Sequence, residues 1–276
     1  MALAKKLDPS ASPRALYGAE LRYYRKRAGY TQDELGELLF VSGAFIGLLE
    51  AAARRIQPDF AARLDAILKT DGFFVRNIAA GEASPYPEHF ADVVDLEATA
   101  TEIHEFAPVL VPGLLQTEEY ARAVFRSANP IHPEASIDEW VYGRLARSRI
   151  FDHPTEPVFW AVLDESILHR EVAGRSAMAS QLRHIADLVR SGRIVAQVLP
   201  YQEGAHGAMQ GSVKMMAFSD SQPLAYIQSI ETGRLLDDPS VVARCQRLYD
   251  LARASALSRD ASLARIEAAA EAFDGH

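Results

Sequence analysis

Six residues carry the chemistry that matters most here: Ser42, Gly43, Ala44, Phe45, Gly47 and Leu48. Their place in the pattern is the start of the second helix of a two-helix hairpin, where side chains meet base edges in a DNA major groove. Direct reading of bases uses Arg, Lys, Asn or Gln. Among these six, only Ser42 has a side chain that can hydrogen-bond. Ala44 or Phe45 can touch a thymine methyl, a contact that discriminates weakly. Thr31 and Gln32 at the start of the first helix, and Arg54 and Arg55 after the second, complete the candidate DNA-facing set. The polar and basic members suit phosphates, which give affinity without sequence information.

A second candidate site is the loop Tyr-Gln-Glu-Gly-Ala-His-Gly-Ala-Met-Gln-Gly at 201–211. Its backbone amides can open toward an anionic group, although glycines that merely satisfy turns explain it more simply. For a small-molecule pocket the sequence nominates Tyr201, His206 and Glu231 as wall residues, with Phe40, Phe45 and Leu48 as an apolar side. Asp164-Glu165 read as an acidic helix start rather than a catalytic pair. Arg144, Arg147 and Arg149 read as a solvated face. The eight histidines show no metal-ligand spacing, and no nucleophile elbow or phosphate-binding loop is present. No catalytic residue, metal or cofactor is expected.

These side chains need elements to hold them. Thr31-x-x-Glu34 is a capping box that starts a helix near Gln32, and Leu35, Leu38 and Leu39 follow at helical spacing. Gly36 permits close approach of a second helix, Phe40-Val41 turn the chain, and Ser42 caps the next helix. A preceding helix spans Arg14 to Arg27, ended by Gly29. Another opens at Pro58, and a short one carries Phe73, Phe74 and Ile78. Residues 1–13 read as a flexible tail, 14–80 as a helix-turn-helix domain, 81–88 as a linker and 89–276 as a second, α+β domain. In that domain the pattern predicts helices at 90–101, from Thr117, from Ser136 or Asp138, at 178–191, 239–256 and 258–273. It predicts strands at 103–110, 158–163, 194–199, 213–218 and 224–230, and leaves 168–173 ambiguous. The fold class is therefore α+β: an all-helical head, then a mixed domain with closing C-terminal helices.

Charge divides with the domains. Residues 1–75 carry 11 Lys or Arg against 9 Asp or Glu, net +2; residues 76–276 carry 18 against 28, net −10. The acidic part repels phosphate and confines any DNA contact to the weakly basic head. Weak basicity in turn favours a dimer that spans two half-sites. The apolar runs are too short to span a membrane, and the lone Cys245 excludes an internal disulfide framework, which fits a reducing cytoplasm.

From Ala15 to Leu68 the chain resembles the Xre-type (lambda-repressor-like) helix-turn-helix regulators. The matching residues are Leu21, Arg22, Arg25, Thr31, Gln32, Glu34, Leu35, Val41, Ser42, Ile46, Glu50, Arg54, Arg55 and Pro58. Segments 111–124, 163–174, 181–185 and 198–218 resemble the C-terminal domain of an antitoxin-like subfamily of those regulators. The resemblance implies an operator-binding homodimer whose second domain senses a small effector or a small protein partner. Three positions depart from the pattern: Phe40 and Ala52 stand where the family usually has Gly, and Ile56 where it usually has Pro. With the apolar reading face, these departures raise an alternative. In it the scaffold serves as a small-molecule binder or enzyme in a biosynthetic pathway, with an apolar pocket between the domains and DNA binding lost. A pure protein-docking module is a third reading.

Overall fold

The computed structural model describes residues 13–52, 54, 56–78, 88–229 and 232–275. The chain divides into two units, Met1–Leu96 and Glu97–His276. The first is helical: α1 (Pro13–Arg27), α2 (Gln32–Leu39), α3 (Gly43–Glu50), α4 (Pro58–Leu68) and α5 (Phe73–Ile78). Local signals set most of its boundaries. Gly29, at φ 83, closes α1. Thr31 Oγ1 accepts from Glu34 N (3.1 Å) and Glu34 Oε2 accepts from Thr31 N (2.7 Å), which completes the capping box. Ser42 Oγ accepts from Phe45 N (3.1 Å) and starts α3. One cap is not local: Asp65 in α4 accepts from the Phe74 and Val75 amides (3.0 and 2.9 Å) and so caps α5. Leu21, Leu35, Leu39, Ile46, Leu49, Leu64 and Phe74 form the buried core between these helices. The α2–α3 approach needs Gly36, where a Cβ would fall 2.7 Å from the Val41 carbonyl oxygen.

Helix α6 (Glu88–Glu97) leads into a six-stranded mixed sheet with helices. The elements that follow are β1 (Glu102–Ala107), α7 (Glu118–Ala128), α8 (Glu134–Arg147), β2 (Val158–Asp164), α9 (Ser166–His169), α10 (Arg175–Arg190) and β3 (Val195–Leu199). Then come β4 (Val213–Ala217), β5 (Leu224–Ser229), β6 (Thr232–Leu236), α11 (Pro239–Ser255) and α12 (Arg259–Asp274). Strand order is β3-β2-β1-β4-β5-β6. β1, β2 and β3 run parallel through helical crossovers, and β4 to β6 form an antiparallel meander added to β1. On one face Phe106, Val162, Met215 and Ala225 pack against Val242, Tyr249 and Ala252 of α11. On the other face the register lines up Glu105, Lys214 and Tyr226 across three strands.

That polar row belongs to a buried ion cluster. Glu97, 1% exposed, takes two hydrogen bonds from Arg147 (2.9 Å each) and one from Lys214, which also lies 3.1 Å from Glu105. Burial alone would raise the Glu97 carboxyl, but the Arg147 and Lys214 charges overcome that and hold it below the usual glutamate range. Burial pushes the Tyr226 hydroxyl up to about 12. The outer edge of β3 is covered by the α11–α12 connection and the first turn of α12: Val198 O accepts from Leu257 N (2.9 Å) and Val198 N donates to Ser262 Oγ (2.9 Å).

Several expectations change. Arg147 is buried in the ion cluster rather than solvated, and Arg144 donates to Gln116 Oε1 (2.7 Å) while its guanidinium sits over Phe125. α8 starts at Glu134, two residues before Ser136, because Pro133 sets the chain at its N-cap. The ambiguous 168–173 segment resolves into the end of α9 and an irregular link to Gly174. β6 had no clear strand signal, since its Thr-Gly-Arg-Leu-Leu breaks apolar alternation. Most of the expected 1–13 tail and 81–88 linker lies outside the described residues; Pro13 opens α1 and Glu88 opens α6.

Candidate nucleic-acid interface

The start of α3 is held by a buried charge network at its end. Glu50, the last residue of α3, is fully buried and paired with Arg25, whose Nη2 lies 3.0 Å from Glu50 Oε2. Arg22 Nε (3.3 Å) and Gln32 Nε2 (2.9 Å) share that oxygen, and Arg25 Nη1 donates to Tyr30 O (2.7 Å). One carboxylate thus ties α1 and the start of α2 to the end of α3. This also places Gln32: its side chain crosses Gly47, where a Cβ would stand 3.5 Å from its amide, and its donor is engaged by Glu50. Thr31 is engaged in the capping box.

Of the residues nominated on α3, Ser42 and Ala44 are exposed, Gly43 and Phe45 half-buried, and Leu48 buried. The Phe45 ring meets Phe60 edge-on at 5.4 Å, and the Arg54 guanidinium lies over the same ring, 4.4 Å from its centroid. Arg54 is therefore held beside α3 by a cation–π contact. Arg55 lies outside the described residues. Two neighbours were not nominated. Asp33 packs against the first turn of α3, where a Cβ on Gly43 would fall 1.8 Å from Asp33 Oδ1. Arg63 of α4 caps α2 through the Leu39 carbonyl and lies near the rings of Phe40 (5.9 Å) and Phe60 (5.5 Å). Its signal in the sequence was the Phe60–Arg63 helical spacing.

Within each unit the nominated pocket residues have different surroundings. Phe40 is 91% exposed while Leu48 is 6% exposed, so these two do not share an apolar wall. His206 sets its ring against Phe106 at 5.5 Å, at the margin of the α11-covered core. Tyr201 is exposed and stacks on His169 at 6.2 Å. Glu231 lies outside the described residues. Two clefts of the second unit are lined elsewhere: one by α7, α8 and the start of α10, the other by α9, α10 and α12.

The capped hairpin of α2 and α3, packed within a five-helix core, defines a helix-turn-helix domain. A family model described as a helix-turn-helix domain matches residues 16–72, the domain type of DNA-binding regulators. A second, described as a domain of unknown function (DUF5753), matches residues 90–268. That match spans more than half of the chain, which belongs to the DUF5753 family. Comparison with curated proteins and with solved structures gives no match.

Proposed function

We propose that this chain is a sequence-specific transcriptional regulator, antitoxin-like in kind, that acts in the cytoplasm and binds a double-stranded operator as a homodimer. The observation that carries the reading is the exposed, Ser42-capped start of α3, with Ala44 outward and Arg54 stacked alongside. Ser42 supplies the hydrogen-bonding contact to a base or phosphate, Ala44 an apolar contact, and Arg54 a phosphate contact. Gln32 contributes by holding the start of α2 to the end of α3 through its bond to Glu50. The second domain serves dimerisation and the sensing of a small effector or protein partner.

The test is fluorescence anisotropy of the full chain with the DNA upstream of its own gene, at about 50 mM salt, where the phosphate contribution is strongest. Binding that weakens on Arg54→Gln and Ser42→Ala is expected. No binding at that salt overturns the reading. It would leave the second one, a helix-turn-helix scaffold turned to ligand binding, which the single hydrogen-bonding side chain on the reading face favours.

A further inference from the structure

A cleft of about 350 Å³ opens between α9, α10 and α12 of the second unit. Leu168, Ala269 and Phe273 form an apolar floor, and His169, Arg175 and Arg265 contribute cationic or polar side chains. This volume is at the small end of ligand sites, which combine an apolar lining with a few convergent polar groups. The charges are unusual for their setting. Residues 76–276 carry a net −10, yet this cleft presents two guanidiniums. Arg265 Nη2 lies 2.9 Å from Glu165 Oε1, so its charge is partly offset. Arg175 donates to the Ala272 carbonyl (2.6 Å) and lies 5.6 Å over the Phe273 ring, with no carboxylate partner among the described residues. Glu165, 4% exposed, is turned to the protein: its other oxygen accepts from Tyr201 N (2.8 Å).

We propose that this cleft binds a small amphipathic anion, a medium-chain aliphatic or small aromatic carboxylate. Its apolar body lies on Leu168, Ala269 and Phe273, and its carboxylate meets the planar donors of Arg175 and Arg265. The proposal deepens the effector-sensing part of the function above and rests on it only for its biological meaning. A carboxylate that engages Arg265 competes with Glu165. Glu165 anchors Tyr201 at the head of the 201–212 loop, so occupancy is felt there.

The test uses the full chain without DNA, so failure of the DNA-binding reading leaves its outcome untouched. Anilinonaphthalene sulfonate, an aromatic anion, is the fluorescent probe, displaced by octanoate or by uncharged octanol. The wild type is expected to bind the probe and to release it to octanoate at about tenfold lower concentration than to octanol, the worth of a charge-assisted hydrogen bond. Arg175→Gln and Arg265→Gln are expected to erase that preference. Ala268→Phe, at an exposed position on the cleft, is expected to block both ligands while the circular dichroism spectrum is unchanged. No displaceable probe binding, or octanoate displacement indifferent to Ala268→Phe, overturns the proposal.

Discussion

Phe40 shows what a single departure from a family pattern means physically. It ends α2 in the left-handed region at φ 57, with its ring almost wholly in water, and Ala52 adopts φ 59 after α3. A side chain there costs energy that glycine avoids, and Phe40 recovers little by burial. Phe40→Gly is therefore expected to stabilise the domain by about 0.5–1 kcal/mol, read as a higher urea midpoint at unchanged slope. A lower midpoint would mean that the Arg63 contact outweighs the backbone strain. Glu50 is the opposite case. Glu50→Ala leaves the buried Arg25 unpaired and is expected to cost about 3–5 kcal/mol in the same titration. A loss below about 1 kcal/mol would show the network to be dispensable, as exposed pairs usually are.

At the scale of the element, α3 is well capped and well anchored, but its first turn has an acidic neighbour in Asp33. A helix start attracts phosphate, and a carboxylate beside it works against that. Asp33→Asn is expected to tighten DNA binding by about 0.5–1 kcal/mol, roughly two- to fivefold, in anisotropy at low salt. Unchanged or weaker binding would place Asp33 away from the phosphates. The positions of α2 and α3 were legible because a capping box, a serine cap and two glycines act within a few residues of themselves. Gln32 was only half legible. Its place at the start of α2 could be read, but its bond to Glu50 joins residues eighteen apart and depends on how α2 crosses α3.

For the whole molecule, the ion cluster around Glu97 joins α6, α8, β1 and β4 and makes the second unit sensitive to acid. The folded carboxyl titrates below its ordinary value of 4.5. Its contribution is complete above that value and is lost as pH falls through the lower folded one. Melts of wild type and Glu97→Gln are expected to differ most at pH near neutrality and to converge below the ordinary glutamate range; a gap that stays constant in acid would remove Glu97 from the cause. The sequence by itself determined the α+β class, the helix-turn-helix, most strand and helix positions and the two-part charge division, because caps, turn residues and apolar periodicity act over short separations. Only the tertiary structure decided that Arg147 is buried, that β6 completes the sheet, that Asp33 abuts α3, and that Arg175 and Arg265 share a cleft. Each of those depends on which elements become neighbours, and side-chain pairing across many residues of separation leaves no periodic trace in the chain.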